Sequence, residues 1–320
     1  MTSMKNQLLS ISTEVSEALA NGHPVVALES TIISHGLPRP RNLEVARGIE
    51  SMVRAQNAIP ATIAILDGRI RIGLNDDDLK YIAEKESIEK ISRRDLPRIL
   101  AGGEDGATTV SATMIAAHMA GIRIFATGGI GGVHRGATES FDISADLNEL
   151  AVTPVAVVCA GAKAILDLPK TLEVLETLGV PVIGHGTDTL PAFWCRSSGL
   201  KLALRCDTPS EIARVLRMQH TLGFSSGTLV ANPIPEAAAL SNATVEQAIA
   251  EALESAEREA VVGAAVTPYL LSRLAEITAG ASLEANVALV ENNAKVAAQV
   301  AVAMSIGGNA TRSANISTRL

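Results

Sequence analysis

Residues 122–163 read IRIFATGGIGGVHRGATESFDISADLNELAVTPVAVVCAGAK and decide the fold class. Two apolar, β-branched runs at 122–126 and 155–159 flank a helical pattern at 145–151. Strands that are joined through a helix form a parallel pair. The stretch therefore predicts a parallel β-sheet that is covered by helices.

The same alternation continues along the chain, which is typical of a mostly parallel sheet with helices on both faces. The predicted strands are at 24–29, 61–66, 69–73, 122–126, 155–159, 180–183 and 228–231. The predicted helices are at 13–20, 42–57, 76–84, 94–101, 108–120, 145–151, 168–178, 209–220, 244–255, 267–278 and 282–304. Because Asp67-Gly68 is a favoured hairpin turn, the strands on either side of it are expected to be antiparallel. We predict one domain over residues 1–320, ending in a loose tail at 306–320.

Composition excludes some classes of protein. A net charge of -7 and an aromatic content of 2% argue against polymeric nucleic acid as a partner, although one phosphate could still bind in a local pocket. The three cysteines show no CxxC spacing, so we expect neither a disulfide framework nor a zinc site. The chain has no signal segment and no apolar run of about 18–20 residues. We expect a soluble, cytoplasmic protein without a membrane partner.

Glu29 and Lys163 are candidates for chemistry because each follows an apolar strand. Ligands bind in open α/β sheets at the carboxyl ends of the strands. The approach VVAL favours burial of Glu29, which would raise its pKa as a proton donor requires. Lys163 follows Ala160-Gly161-Ala162, and desolvation there would favour a neutral, nucleophilic amine. The alternatives are a solvated glutamate and a lysine with an exposed head.

The segment FDISADL, residues 141–147, combines carboxylates and a hydroxyl. Asp142 and Asp146 are four residues apart, with Ser144 between them. One carboxylate could ligate Mg²⁺ or Mn²⁺ together with water molecules while the other groups contact substrate. Ordinary capping of a helix by Asp142 or Ser144 explains the same residues.

Three further segments suit a phosphate or an oxyanion. The segment ATGGIGGVHRG at 126–136 does not match a dinucleotide motif. Its glycines are interpreted as letting the backbone approach another group closely. His134 and Arg135 are available there as polar or cationic contacts. KISRRD at 90–95 groups three cations, and GATTVSAT at 106–113 reads as a helix entry. A solvated surface and a simple helix cap are the respective alternatives.

Ten segments along the chain form one recognisable series. In order they are VVALESTIISHGLPRP, ATIAILDGRIRIGL, KISRRDLP, GATTVSATM, FATGGIGGVHRGA, FDISADL, VVCAGAKAILDL, LPAFWCRSS, VANPIPE and TPYLLSRLAEIT. This series, from about residue 10 to about residue 305, resembles the pseudouridine-5′-phosphate glycosidase family, also called indigoidine synthase A-like. The resemblance implies a three-layer α/β/α fold with a mixed, mostly parallel sheet, and a homotrimer.

The resemblance also implies an activity. It is the reversible cleavage of the C–C glycosidic bond of pseudouridine 5′-phosphate to uracil and ribose 5-phosphate, with one Mn²⁺ ion per subunit. A lysine Schiff base at C1′ of the ring-opened ribose carries the reaction. In the cell, pseudouridine degradation is the implied role.

By the same matching, each candidate residue receives an implied role. Lys163 matches the family's Schiff-base nucleophile, Glu29 its proton donor and Asp142 its metal ligand. The implied substrate contacts are Lys90, Val110 through its backbone, Ser144, Ala145 and Asp146. His134 and Asn286 lie in segments that line the family's pocket.

Two other functions remain open on the sequence. The first is an aldolase-like carbon–carbon lyase that uses the same lysine on another phosphosugar. The second is a phosphosugar sensor that binds without turnover.

Overall fold

The computed structural model describes residues 8–259, 261 and 266–316, and within them eleven strands form one mixed sheet. The strands are β1 (Leu9–Ile11), β2 (Val25–Leu28), β3 (Ile59–Leu66), β4 (Arg69–Ile72), β5 (Glu89–Ile91), β6 (Gly106–Thr108), β7 (Ile124–Ala126), β8 (Ala156–Cys159), β9 (Val182–His185), β10 (Leu204–Cys206) and β11 (Thr228–Ala231). Their order is β1-β4-β3-β2-β7-β8-β11-β9-β10, and β6 joins β5 to β3. Only β3–β4 and β3–β6 are antiparallel among these pairs.

The sequence predictions of seven strands and of a hairpin at Asp67-Gly68 are confirmed. Asp67 has φ 51° and Gly68 has φ 65°, the backbone of a tight two-residue hairpin turn. Strands β1, β5, β6 and β10 were not predicted, since three residues such as EKI or GAT are too few to show a hydrophobic period.

Thirteen α-helices lie in the described residues. They are α1 (Thr13–Ala20), α2 (Thr31–His35), α3 (Arg41–Ala55), α4 (Asp76–Glu84), α5 (Leu96–Gly102), α6 (Val110–Ala120), α7 (Ala137–Ser140), α8 (Ala145–Val152), α9 (Leu168–Thr177), α10 (Pro209–Thr221), α11 (Asn242–Arg258), α12 (Val266–Ile277) and α13 (Ala281–Ile316). All eleven predicted helices are present, and the two short helices α2 and α7 were not predicted.

One prediction is corrected at the carboxyl end of the chain. Helix α13 continues to Ile316, so residues 306–316 are helical where a loose tail was expected. Extending an existing helix adds one hydrogen bond for each residue that is fixed and requires no new nucleation. A prediction from hydrophobic periodicity does not take this extension into account. Residues 317–320 of the predicted tail lie outside the described residues.

Helices cover both faces of the sheet, which confirms the predicted three-layer α/β/α architecture. Helix α13 packs on β2, β7 and β8 and contacts α3 and α10, whereas α6 contacts β2, β3 and α8. Strands β2 and β8 are buried along their whole length, as expected for central strands of a covered sheet. The buried core is mostly aliphatic, with Trp194 and Phe125 as its largest side chains.

Two further expectations concern the cysteines and the membrane. The cysteines Cys159, Cys195 and Cys206 are buried and carry no disulfide. Among the residues described, no helix combines the length and the apolar character that crossing a membrane requires.

The sheet order brings five strand ends to one edge. Strands β2, β7, β8, β11 and β9 are consecutive neighbours and run parallel. Glu29, Thr127, Ala160 and Asn232 are the residues that directly follow β2, β7, β8 and β11. The polar residues after these strands therefore meet in one region of the molecule.

Gly68 in the hairpin turn has a positive φ and also packs against the backbone of Gly103, so we expect that no larger residue fits there. A Cβ at Gly68 would lie 2.6 Å from Cα of Gly103, whereas Gly103 has φ +68° and no atom within 4 Å of its added Cβ. Gly103→Ala should lower the free energy of unfolding by about 1–2 kcal/mol through its left-handed backbone. Gly68→Ala should lower it by about 1–3 kcal/mol more, because the backbone must shift. Urea unfolding of both variants measures this, and equal destabilisation would contradict the packing.

Candidate active site

An open pocket lies at the carboxyl edge of the strands. It brings together four of the residues that the sequence singled out: Glu29, Lys90, Lys163 and Asn286. The other lining residues are Thr31, Ile32, His35, Gly36, Leu37, Thr127, Gly128, Gly129, Phe193, Leu271 and Leu289. The pocket therefore combines an apolar wall with one carboxyl group and two amines.

Glu29 is the acidic group of this pocket. Burial raises its pKa, and the nearby charge of Asp146 acts in the same direction. The positive charge of Lys163, the hydroxyl of Thr127 and the charge of Lys90 oppose the rise in pKa. The Thr127 hydroxyl donates a hydrogen bond to Oε1 of Glu29. A carboxyl group with a raised pKa keeps its proton to higher pH, as a proton donor must.

Lys90 is the second cation of the pocket. It lies in β5, whose parallel pairing with β6 places it opposite Ala107. Solvent reaches its side chain, yet desolvation by the surrounding protein, together with the charge of Lys163, lowers its pKa. Desolvation and the charge of Lys90 also lower the pKa of His35, which favours a neutral imidazole at the pocket.

Lys163 is placed by backbone pairing that continues past the ends of β7 and β8. Thr127 N–H donates to Val158 O (3.1 Å), and Ala160 N–H donates to Gly128 O (2.9 Å). The N–H of Ile130 then donates to the carbonyl of Gly161 at 3.1 Å. The carbonyl of Ile130 accepts from the N–H of Lys163, also at 3.1 Å. The glycine-rich segment thus lies alongside the segment that carries the lysine.

Two glycines allow this close packing. A Cβ at Gly129 would lie 2.6 Å from Phe193 Cε2, and one at Gly131 would lie 2.2 Å from Ser144 Oγ. The interpretation that these glycines permit close approach is supported, with protein groups as the neighbours that approach.

Asp146 is a buried anchor at the side of the pocket. Its Oδ1 accepts from Ser111 N–H (3.0 Å) at the start of α6, and its Oδ2 accepts from Gly131 N–H (2.8 Å). The carboxylate therefore joins α6 to the glycine-rich segment. It does not line the pocket itself, although its charge affects the pKa of Glu29 and of Lys90.

Four other predicted contacts lie outside the pocket lining. Ser144 caps α8, since its Oγ accepts from Asp146 N–H at 3.2 Å, and Ala145 is exposed as the first residue of that helix. Val110 begins α6 with a buried side chain, so only its backbone can reach a ligand. His134 is paired through its backbone N–H with the carbonyl of Asp142 at 3.0 Å.

The predicted metal ligand Asp142 is partly exposed to solvent. Its Oδ2 lies 3.8 Å from Nδ1 of His134. Within the described residues, no group of three or more His, Cys, Asp or Glu side chains is arranged to hold a metal ion. Mg²⁺ and Mn²⁺ are oxygen-seeking ions, and Mg²⁺ in particular is often held by one or two carboxylates and several waters. An accessible Asp142 fits such a water-rich site, and the metal stays a prediction.

Of the two interpretations left open for the cation run, a phosphate contact and a solvated surface, neither describes Arg93. Its Nε and Nη2 donate to Oε2 (2.6 Å) and Oε1 (2.8 Å) of Glu149, which is fully buried. The guanidinium therefore compensates a buried carboxylate and fixes the chain just after β5. Arg94 stays exposed beside Asp95.

Several pocket residues were not predicted. Thr127 directly follows β7 as Glu29 follows β2, so its position was a usable signal. Asn286 was predicted as a pocket residue, but its contact was not: its Oδ1 accepts a hydrogen bond of 2.7 Å from Trp194 Nε1, which is 92 residues away in the chain. The apolar wall of Phe193, Leu271 and Leu289 shows no signal that distinguishes it from core.

The pocket holds a carboxyl group of raised pKa beside two lysine amines, at the carboxyl edge of an α/β sheet. This arrangement is typical of a site for a small molecule. The model of the family described as "Indigoidine synthase A like protein" matches residues 14–303. The chain therefore belongs to that family, and the resemblance predicted from the motifs is confirmed.

Individual relatives agree with this assignment. The pseudouridine-5′-phosphate glycosidase of Paracoccus denitrificans is 59% identical over 93% of this chain and 98% of its own. The crystal structure of a prealnumycin C-glycosynthase in complex with ribulose 5-phosphate has a TM-score of 0.89 at 42% identity, covering 95% of this chain and 99% of that one. An indigoidine synthase A-like protein from Thermotoga maritima has a TM-score of 0.85 at 35% identity, covering 93% and 97%.

The raised pKa of Glu29 predicts that ionised Glu29 destabilises the fold. Its ordinary pKa of 4.5 applies to the unfolded chain, so its stability contribution is complete below pH 4.5 and is lost as the pH rises through the folded pKa. Glu29→Gln should therefore raise the melting temperature at pH 8, and the gain should shrink toward pH 4.5. Thermal unfolding between pH 5 and 8 measures this.

The exposed Glu251→Gln removes one charge without a buried carboxyl group and serves as the control. A Glu29→Gln protein that is less stable than the wild type at pH 8 would contradict the burial argument.

Proposed function

We propose that the chain catalyses the cleavage of pseudouridine 5′-phosphate by water to uracil and ribose 5-phosphate, and the reverse condensation. The observation that carries this proposal is the single pocket that holds Glu29, with its raised pKa, and the amine of Lys163. A relative at 59% identity is named for this reaction, and a solved relative binds ribulose 5-phosphate.

The bond to be broken explains why an amine is needed. In pseudouridine, C1′ of the ribose is attached to C5 of uracil, and a carbon atom is a poor leaving group for the two-carboxylate mechanism of ordinary glycosidases. An amine can instead form a C–N bond at C1′ and leave as an iminium when the C–C bond breaks. Lys163 is the proposed amine.

Ring opening is the first proposed step. Glu29 delivers its proton to the ring oxygen while the C1′–O4′ bond breaks, and the uracil loses its N1 proton, which leaves a neutral system conjugated from the ring to C1′. The neutral amine of Lys163 then adds to C1′, with proton transfer back to the uracil. Glu29 suits this task because burial keeps its proton at a higher pH than that of a solvated glutamate.

Cleavage of the C–C bond follows. The proton that left N1 returns to the uracil at C5 and gives a C6=N1 iminium. The lone pair of the lysine nitrogen forms C1′=N, the electrons of the C1′–C5 bond restore the C5=C6 bond, and those of the C6=N1 bond return to N1. Water then adds to the lysine iminium and releases ribose 5-phosphate, the free amine and a proton that restores Glu29. The sum is pseudouridine 5′-phosphate plus water to uracil plus ribose 5-phosphate.

The remaining proposed contacts hold the substrate. Lys90 and the backbone of Val110, with Ser144, Ala145 and Asp146, are proposed to bind it, and His134 and Asn286 to complete its surroundings. The cation of Lys90 lies in the same pocket as Lys163 and can pair with an anionic group of the substrate. Asn286 presents a side-chain amide whose oxygen is already bonded to Trp194.

A divalent ion, Mn²⁺, is proposed at Asp142. When bound, the ion would supply positive charge to oxygen atoms of the substrate. We also propose one catalytic domain over residues 1–320, a homotrimer, a cytoplasmic location and a role in pseudouridine degradation, which the family resemblance supports.

Turnover and covalent trapping test this proposal together. Incubation with pseudouridine 5′-phosphate and Mn²⁺ should release uracil and ribose 5-phosphate in equal amounts. Borohydride added during turnover should reduce the iminium and leave a ribitol phosphate on Lys163, which peptide mass spectrometry locates. Lys163→Arg keeps the charge and should form no adduct.

Other outcomes separate the alternatives. No uracil from the folded, Mn²⁺-loaded protein would reject the proposal, and turnover of another phosphosugar in its place would indicate an aldolase-like lyase. Thermal stabilisation by the phosphosugar without turnover would indicate a sensor. An adduct on another lysine would reject the assignment of Lys163.

Asp142→Asn should weaken Mn²⁺ binding by at least about 10-fold, because an amide replaces the one charged oxygen ligand. Electron paramagnetic resonance titration of free Mn²⁺ measures this without turnover. The exposed Glu139→Gln removes a neighbouring charge and should bind Mn²⁺ like the wild type. Equal affinity in Asp142→Asn and wild type would remove Asp142 from the metal site.

A further inference from the structure

Two buried amides, those of Asn293 and Asn232, lie behind the pocket and outside its lining. Asn293 on α13 is fully buried, and its Nδ2 donates to the carbonyls of Thr127 (2.8 Å) and Gly128 (3.3 Å). Its Oδ1 accepts from Nδ2 of Asn232 at 2.9 Å. Oδ1 of Asn232 in turn lies 3.0 Å from Nδ1 of His185.

The direction of these hydrogen bonds is fixed by the backbone. Carbonyl oxygens only accept, so the amino group of Asn293 must face Thr127 and Gly128. Its oxygen then faces Asn232, whose amino group must be the donor there. Asn232 therefore presents its oxygen to His185, and Nδ1 of His185 must carry a proton. All the side chains point their donors toward the pocket segment.

The Asn293 amide holds a residue that lies just beyond the end of β7. The pairing of β2 with β7 ends at Leu28 and Ala126, one residue before Thr127. The N–H of Thr127 is held by Val158, and its carbonyl is held by Asn293. Both the N–H and the carbonyl of Thr127 are therefore hydrogen-bonded, while its hydroxyl donates to Glu29.

We propose that Asn293 is a positioning residue for the proton donor, because its amide holds Thr127 where the hydroxyl stays on the carboxyl group of Glu29. This inference rests on the proposed role of Glu29 in catalysis. Asn293 itself does not line the pocket. Asn286, Leu289 and Asn293 lie three and four residues apart on α13, so the helix presents pocket residues and this anchor on one face.

The consequence for Glu29 has a definite sign. The charged groups that face Glu29 are Lys163, Lys90 and Asp146, and the Thr127 hydroxyl bond lowers the pKa of Glu29 against the effect of burial. If Thr127 moves away, that bond is lost and the pKa of Glu29 rises. A residue with a merely structural role would reduce the amount of folded protein and leave this pKa unchanged.

The test compares Asn293→Asp with Asn292→Asp. Asp at 293 sets a carboxylate against two carbonyl oxygens, which should displace the segment and lower kcat by about 10- to 100-fold, with a smaller change in KM. Asn292 also donates to a carbonyl, that of Pro233 at 3.2 Å, and its variant adds the same charge one residue away. It should keep the kcat of the wild type and the pKa of Glu29.

A second variant acts from further away. In Asn232→Asp, a carboxylate oxygen replaces the donor to Oδ1 of Asn293 and repels it. This favours the turned amide, whose amino group bonds the carboxylate and no longer reaches Thr127. This variant should lower kcat and raise the pKa of Glu29 in the same direction as Asn293→Asp, and it decides the question if Asn293→Asp does not fold.

The pKa of Glu29 is read in the free protein by ¹³C NMR of labelled glutamate carboxyls, assigned with Glu29→Gln, so this result does not depend on the substrate. Because a new carboxylate near Glu29 would itself raise the pKa, the neutral variant Asn293→Leu is measured beside the aspartates. A higher pKa in Asn293→Leu, with Asn292→Asp unchanged, supports the proposal. An unchanged pKa and kcat in a folded Asn293→Asp or Asn232→Asp protein overturns it. Failure of the wild type to turn over pseudouridine 5′-phosphate would instead reject the proposed function.

Discussion

The backbone pairing that continues beyond β7 and β8 is the constraint on which the candidate site depends. Hydrogen bonds from Thr127 to Val158 and from Lys163 to Ile130 hold two loop segments together as if they were strands. This pairing places Thr127, whose hydroxyl contacts Glu29, and Lys163 on adjacent segments at the same edge of the sheet. Without such pairing, the backbone at Lys163 would not be fixed, and its long side chain would extend into solvent.

Burial and charge act against each other at Glu29, and the balance suits the proposed chemistry. Desolvation raises the pKa of Glu29 more than the nearby lysines and Thr127 lower it. The same desolvation lowers the pKa of Lys90. A protonated Glu29 and a less strongly charged Lys90 can coexist there, at a cost in folding stability that functional sites commonly show.

The sequence predicted the parts of the structure that depend on local pattern. The strand before Glu29, the strand before Lys163 and the Asp67-Gly68 turn were all predicted, because each rests on a few consecutive residues. Contacts between distant segments were not. The role of Arg93 was left open between a phosphate contact and a solvated surface, because its partner Glu149 is 56 residues away. Nothing near Asn293 indicates the two carbonyls that it holds. The helix beyond residue 305 was missed because it extends an existing helix without an apolar period.

We propose that Lys163 forms the covalent bond to C1′ at this edge of the sheet. A crystal structure of the protein soaked with ribose 5-phosphate would show that bond. We expect continuous electron density from Nζ of Lys163 to C1′ of an open-chain sugar. Density that joins C1′ to Lys90, or a closed sugar bound without any link to Lys163, would contradict it.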